Sequence, residues 1–230
     1  MIITQEMTVR DTVLQYPAAS DVFKRLKIDF CCGGNRPIQE AAEARGLDAA
    51  AVVQQLNEMK QSAPNLGIGM DWQYMSSQAL IEYIVKKHHQ FLRDQLPQIA
   101  ANVERVYHVH GGDQPHLVQM AELFRQLRKV LETHIDKEEE ISFPIIIRAE
   151  EETDVVSHED VRAVITELEA EHDGAGELLK QLRAVTNDFT PPEQACTTYR
   201  ITYARLEELE GMTFEHVHLE NNVLFPRFGL

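Results

Sequence analysis

Cysteine is scarce in this chain: three in 230 residues, of which Cys31 and Cys32 are adjacent and Cys196 is far away. Cysteines so few and so spaced cannot form a disulfide framework, and such thiols stay reduced in the cytosol, open to redox or metal chemistry. Glycine and proline are also sparse, 11 and 9. This excludes collagen-like and low-complexity sequences and leaves long, uninterrupted helices as the main material. No apolar stretch approaches the ~18 residues that a membrane-spanning helix needs. The first residues, Met1 to Glu6, lack the cationic and apolar segments of a secretory signal, so the expected location is the cytoplasm. Basic residues are outnumbered 22 to 37, giving a formal charge of −15 and a pI near 5.1. That field repels phosphate backbones and anionic lipid, so neither nucleic acid nor a membrane is an expected partner.

What is present is an ordinary globular composition, 43% hydrophobic and 26% charged, arranged in helical periods. The stretch Ser62 to Gly69, with Pro64, Gly67 and Gly69, reads as a linker. It separates a small helical domain over 1–65 from a second domain over 75–230. In the first, short helices flank the turn Cys31-Cys32-Gly33-Gly34-Asn35-Arg36-Pro37, and Pro37 opens the next helix. The second shows four long helical patterns. They run from Ser76-Ser77 to His110-Gly111-Gly112, from Gln114-Pro115 to Phe143-Pro144, from the cap Ser157 to Thr186-Asn187, and from Thr190-Pro191-Pro192-Glu193 to Phe225-Pro226. The expected fold is all-α: a small helical domain followed by an antiparallel four-helix bundle.

Bundle helices place core residues at alternating steps of three and four, and here the seams carry unusual residues. The first reads Val85, His89, Leu92, Leu96, Ile99, Val103, Val106; the second Leu117, Met120, Phe124, Leu127, Leu131, His134, Glu138, Ile141. The third reads Val161, Ile165, Leu168, His172, Ala175, Leu179, Leu182; the fourth Leu206, Leu209, Thr213, His216, Glu220, Val223. Every helix puts a histidine into the core, and two add a glutamate one turn later. Residues four apart on a helix differ by only about 40°, so His134 with Glu138, and His216 with Glu220, each form a chelate. The pattern His-x3-Glu-x4-Phe-Pro recurs with an offset of 82 residues, so the bundle reads as two helix pairs related by a pseudo-twofold.

Burying carboxylates without partners costs several kcal/mol, so a cation belongs among these six residues. Four imidazoles and two carboxylates suit two metal ions with both glutamates able to bridge them. The lack of thiolate argues against a structural zinc site, and the donor set is typical of non-haem iron, with manganese or zinc fitting the same donors. A single core histidine is more often a hydrogen-bonded structural residue, but four in register with two glutamates are not. His88 competes with His89, yet its own seam meets Gln95, so His89 is preferred. His218 points to another face, as a solvent or supporting residue. His108, His110, His116 and His158 read as surface, Glu139, Glu140 and Glu150 to Glu152 as solvated charge, and Cys196 as buried packing. Glu171, beside His172, reads as a candidate for supporting a ligand or gating protons.

Ile28-Asp29-Phe30-Cys31-Cys32-Gly33-Gly34, together with Glu171-His172-Asp173-x-Ala175-Gly176-Glu177 and His216-x3-Glu220-Asn221-Asn222-Val223-Leu224-Phe225-Pro226, resembles the Repair of Iron Centres family. These are bacterial di-iron proteins for iron-sulfur cluster repair. The resemblance spans nearly the whole chain and implies a hemerythrin-like bundle. In it His89, His134, Glu138, His172, His216 and Glu220 hold two irons, with Glu138, Glu220 and an oxo or hydroxo group bridging. Oxygen-carrying hemerythrins have a further histidine where this chain has Gly176, which implies a more open site. The implied function is repair of clusters damaged by nitric oxide or oxidants, by iron donation or by nitric oxide reduction. Cys31 and Cys32, expected to be exposed, are the candidate redox or transfer thiols. Damaged iron-sulfur proteins are the expected partners, with nitric oxide or oxygen as small ligands. The rival reading is a sensor or store of oxygen, nitric oxide or iron without turnover. A homodimer through the small domain is compatible with the limited core of a ~60-residue piece.

Overall fold

The structure is a computed structural model that describes residues 2–31, 33–62, 72–151 and 157–229. Cys32 and all of the expected linker beyond Ser62 lie outside these residues. No strand occurs among the described residues, only one isolated bridge between Thr8 and Pro37, so the protein is all-α. None of the described helices is long and apolar enough to cross a membrane. By contacts the chain divides into two compact units, one of Met1–Ser76 with Phe214–Leu230 and one of Ser77–Thr213.

In the first unit, α1 (Val9–Gln15) is capped by Thr8, whose Oγ1 accepts from the Asp11 N–H at 3.0 Å. Helices α2 (Ala19–Arg25), α3 (Ile38–Glu43) and α4 (Ala49–Ser62) follow. Their apolar faces, with Ile3, Phe23, Phe30, Ile38 and Leu56 fully buried, form one core, and Phe214 packs against it. The later segment is tied in by polar contacts too. Lys24 pairs with Glu215, and Arg227 donates to the carbonyls of Met75 at 2.7 Å and Trp72 at 2.8 Å.

The turn after Phe30 is built on Asp29. Its Oδ1 accepts from the Cys31 N–H at 3.0 Å and its Oδ2 from the Gly33 N–H at 3.1 Å. Gly34 passes so close to α1 that its carbonyl accepts from the Arg10 N–H at 2.8 Å, and a Cβ there would stand 2.6 Å from the Phe30 carbonyl oxygen. Gly34→Ala is therefore expected to destabilise this unit by about 1–3 kcal/mol. Urea unfolding followed by Trp72, the chain's one tryptophan and a member of this unit, measures it; an unchanged midpoint would refute the crowding.

The second unit opens with α5 (Ser77–Ile84), a π turn at Val85–His89 and α6 (Gln90–His110). Next come α7 (His116–Lys137), a second π turn at Glu138–Ser142 and α8 (Phe143–Glu151). Helix α9 (His158–Val185) is capped by Ser157, and α10 (Thr197–Leu219) belongs to this unit up to Thr213. Helix α7 packs against α6 and α9. Helix α10 meets α9 through the part-buried Arg183–Glu210 pair and α6 through Arg205 Nη1 donating to Gln95 Oε1 at 2.8 Å, closing a four-helix bundle.

The structure corrects the expected seams at the π turns. A π turn closes five-residue rather than four-residue hydrogen bonds, as from the Phe143 N–H to the Glu138 carbonyl, and so inserts one extra residue into the helical register. Ile141, expected in the core, is 53% exposed, while Ser142, Phe143 and Ile146 are buried. Likewise Ile81 and Ile84, not Val85, are buried before His89. The second helical pattern does not stop at Phe143-Pro144 but runs on to Glu151. An unbroken α-helix would drive the Pro144 ring into the carbonyl of residue 140, and the widened turn relieves that clash.

Candidate metal centre

Three of the expected ligands adjoin π turns. His89 ends the first, Glu138 opens the second, and Glu220 opens a third at Glu220–Leu224. Beyond that third turn the chain makes a 3₁₀ turn at Phe225–Phe228, so both copies of the Glu-x4-Phe-Pro pattern carry the same local distortion. The turns break the regular helical ladder where a side chain must be aimed inward, a common placement for π turns at functional sites.

His89, His134, Glu138, His172, His216 and Glu220 are all buried, at 5% exposure or less. Glu138 reaches two histidines at once: its Oε2 is 3.2 Å from His89 Nε2 and its Oε1 3.2 Å from His134 Nε2. His134 Nε2 and His172 Nε2 stand 3.1 Å apart, and His216 Nε2 is 3.0 Å from Glu220 Oε1. Among the described residues, two groups of four offer ligand atoms that all lie within 4.8 Å of one another: His89, Glu138, His216 and Glu220, and His134, Glu138, His172 and Glu220. Both carboxylates belong to both groups. Donors at about 2.1 Å from one ion stand roughly 3.0–3.4 Å apart, so these separations fit nitrogen and oxygen donors converging on cations. The imidazole nitrogens and carboxylate oxygens of this set suit iron, manganese or zinc.

For His89 and His134, which nitrogen faces inward is set by a second carboxylate behind the ring. His89 Nδ1 donates to Glu139 Oε1 at 2.7 Å, and His134 Nδ1 donates to Glu171 Oε2 at 2.7 Å. Each acceptor is anchored in turn by a cation on its partner's helix, Arg93 Nη1 to Glu139 at 2.6 Å and Lys137 Nζ to Glu171 at 2.7 Å. The hydrogen bond from His134, opposed by partial burial and assisted by Lys137, holds the Glu171 carboxyl down at about 2. Burial pushes Glu139 up, but Arg93 and His89 outweigh it and hold that carboxyl below its ordinary value. Phe143 stacks on the His89 ring at 5.7 Å between centroids.

Glu139 is the functional residue that the sequence reading misses by treating it as solvated charge. Its signal is positional: Arg93 lies one helical turn beyond His89, as Lys137 lies beyond His134. Glu139→Gln and Glu171→Gln are each expected to weaken metal binding about 10- to 100-fold, because the neutral amide makes a poorer acceptor for the ring N–H and a less basic ligand. Chelator competition on the two variants checks this; unchanged affinity in both would remove the role.

Other expected positions are corrected. Cys31 is buried, not exposed, with its Sγ 3.2 Å from Asp29 Oδ1. It follows Phe30, which is fully buried, and shares the Asp29 turn. His218 is buried rather than solvated. Its ring packs on Phe30 at 5.8 Å and its Nδ1 accepts from Asn222 at 3.0 Å. Burial pulls its pKa down to about 4, against a hydrogen bond to the Phe30 backbone. The helix that carries His216 and Glu220 thus touches the residue beside Cys31. Cys196 is exposed, not buried, and His116 is half-buried, its Nε2 3.0 Å from the Tyr199 hydroxyl.

Residues 80–228 match the hemerythrin HHE cation binding domain, and residues 5–60 match ScdA_N, a domain of unknown function. The iron-sulfur cluster repair protein ScdA of Staphylococcus haemolyticus is 37% identical over 229 residues, 99% of this chain and 100% of the relative. The iron-sulfur cluster repair protein YtfE of Edwardsiella ictaluri is 38% identical over 226 residues, 96% of this chain and 98% of the relative. YtfE of Escherichia coli is 33% identical over 224 residues, 97% and 96%. With both domains matched in order and the relatives aligned from end to end, the chain belongs to the ScdA and YtfE family, an ScdA_N domain joined to a hemerythrin HHE cation binding domain.

Proposed function

We propose that the chain holds two non-haem iron ions, one on His89 and His216 and the other on His134 and His172, with Glu138 and Glu220 serving both. The loaded protein then restores iron-sulfur clusters damaged by nitrosative or oxidative stress in the cytoplasm. The observation that carries this reading is the overlap of two buried His/Glu groups in both of their carboxylates. The relatives that align over their full length are iron-sulfur cluster repair proteins by name. When bound, such a pair supplies electrons and open positions for nitric oxide or oxygen, or is itself the cargo handed to a damaged cluster.

The chain's own residues have separable tasks. Glu139 and Glu171 fix the ring orientation of His89 and His134, and Phe143 supports the face of the His89 ring by stacking on it. Gly176, one turn after His172 on the buried face of α9, adds no ligand. That leaves room at the centre for a small molecule or for release of the metal. Cys31, held by Asp29 beside Phe30, is the candidate transfer thiol, with Cys32 next to it in sequence.

The test is reactivation of an iron-sulfur dehydratase inactivated by nitric oxide, using chain purified without oxygen and loaded to about two irons. Recovery of activity with loss of iron from the chain is the signature of iron donation. Recovery with retained iron and release of nitrous oxide is the signature of nitric oxide reduction. Full loading with neither recovery nor nitrous oxide would overturn repair and leave a sensor or store.

A further inference from the structure

At the end of α6 opposite to His89, twenty-one residues further along and so about 30 Å away, a second cluster of reactive side chains has no part in the metal centre. Cys196 is exposed, and its Sγ lies 3.4 Å from His110 Nε2. His110 lines a cleft of about 470 Å³ together with Gln114, Tyr199 and residues 192–195. The His110 ring rests against Tyr199 at 5.7 Å, and the Tyr199 hydroxyl is held by Gln114 at 3.0 Å. The loop forming the other wall is pinned in place: Arg200 Nε donates to the Ala195 carbonyl at 3.1 Å, and its Nη2 donates to the Glu193 carbonyl. The cleft is thus built from side chains and backbone that are already ordered by one another, and its volume is in the range of small-molecule sites.

We propose that Cys196 and His110 form a thiolation site for a low-molecular-weight disulfide seated in this cleft. A thiol is a nucleophile only once deprotonated, and His110 Nε2 is placed to take the Cys196 proton. The Cys196 sulfur then attacks one sulfur of the disulfide. A new S–S bond forms as the old one breaks, Cys196 is oxidised, the departing sulfur is reduced, and the proton leaves with it as a free thiol. The product is a mixed disulfide on Cys196, whose neighbour Ala195 and partner His110 both line the cleft, so the retained half of the reagent lies along that lining. Gln114 and the carbonyl oxygens of Glu193 and Ala195, each of which keeps a second lone pair beside its Arg200 bond, line the cleft as polar partners for an amino-acid or short-peptide disulfide. This site is independent of the metal centre and of the repair reading.

The iron-loaded full chain is incubated with glutathione disulfide without oxygen, and the products are followed by intact mass and peptide mapping. The expected result is one glutathione adduct on Cys196 that forms with saturable dependence on disulfide concentration. Cys196→Ser abolishes that adduct, His110→Gln slows it at least about tenfold, and neither substitution changes the iron content. An adduct confined to Cys31 or Cys32, or a rate that is linear in disulfide and equal in His110→Gln, would overturn the proposal. The saturation readout uses the unaltered chain, so the test remains decisive if a variant loses helix content.

Discussion

Replacing Glu138 by alanine is expected to take bound iron from about two per chain to below roughly 0.2, and cluster repair with it. Glu138 is fully buried, is 3.2 Å from the ligand nitrogens of both His89 and His134, and belongs to both groups of donors. Its removal would take one oxygen donor from each ion and the single negative charge that the two would share, whereas loss of any one histidine touches one donor group only. Glu138→Gln separates the two effects, since the amide preserves the volume but neither the charge nor the second good acceptor. Elemental analysis after purification without added metal, with circular dichroism as the check on folding, gives the answer. A folded Glu138→Ala protein that keeps both irons would end the shared-carboxylate assignment. Glu220→Ala follows the same logic and has the same expected result.

The inward direction of the six His and Glu residues is legible because helices convert spacing into direction. His172 shares its seam with Val161, Ile165, Leu168, Leu179 and Leu182, all buried as the steps of three and four require. The same holds for His216 and Glu220 on the seam of Leu206, Leu209 and Thr213. Legibility failed where the backbone leaves the α register. Counting by threes and fours places Ile141 inward, and the π turn at Glu138–Ser142 carries it outward. Pro144 and Pro226 are the local markers of two of these turns, each following a phenylalanine five residues after a glutamate. The first turn, at Val85–His89, is not followed by proline.

Tertiary partners were harder to read, because a surface-type residue becomes functional only through what faces it. Glu139 has the same local signature as Glu140, yet Glu139 meets His89 and Arg93 from another helix. His218 lies two residues from His216 and faces away from that seam, and only the packing of Phe30 against the same segment shows why it is buried. Cys31 misled in the opposite sense. Glycines around a cysteine pair suggest an exposed turn, but Gly33 and Gly34 are there because the chain passes close to Asp29 and to the Phe30 carbonyl. The close approach buries Cys31.

Removing the metal is expected to lower the midpoint of thermal unfolding by about 15 °C or more. A cation present at a thousand times its dissociation constant stabilises the folded state by about 4 kcal/mol, and two such ions give roughly twice that. For a chain of this size each kcal/mol moves the midpoint by about 2–4 °C. The metal-free centre also carries its own cost, since Glu138 and Glu220 remain fully buried within 4.8 Å of each other and a pair of like charges in a dry core is worth several kcal/mol against folding. The chain's formal charge of −15 adds to the same repulsion and makes cations the natural stabilisers. Calorimetry of the iron-loaded chain against the same chain treated with a strong chelator measures the shift, and readdition of ferrous iron should restore it. Coincident transitions in the two samples would mean that the packed apolar seams alone hold the bundle, and that the six polar side chains at its centre contribute nothing to its stability.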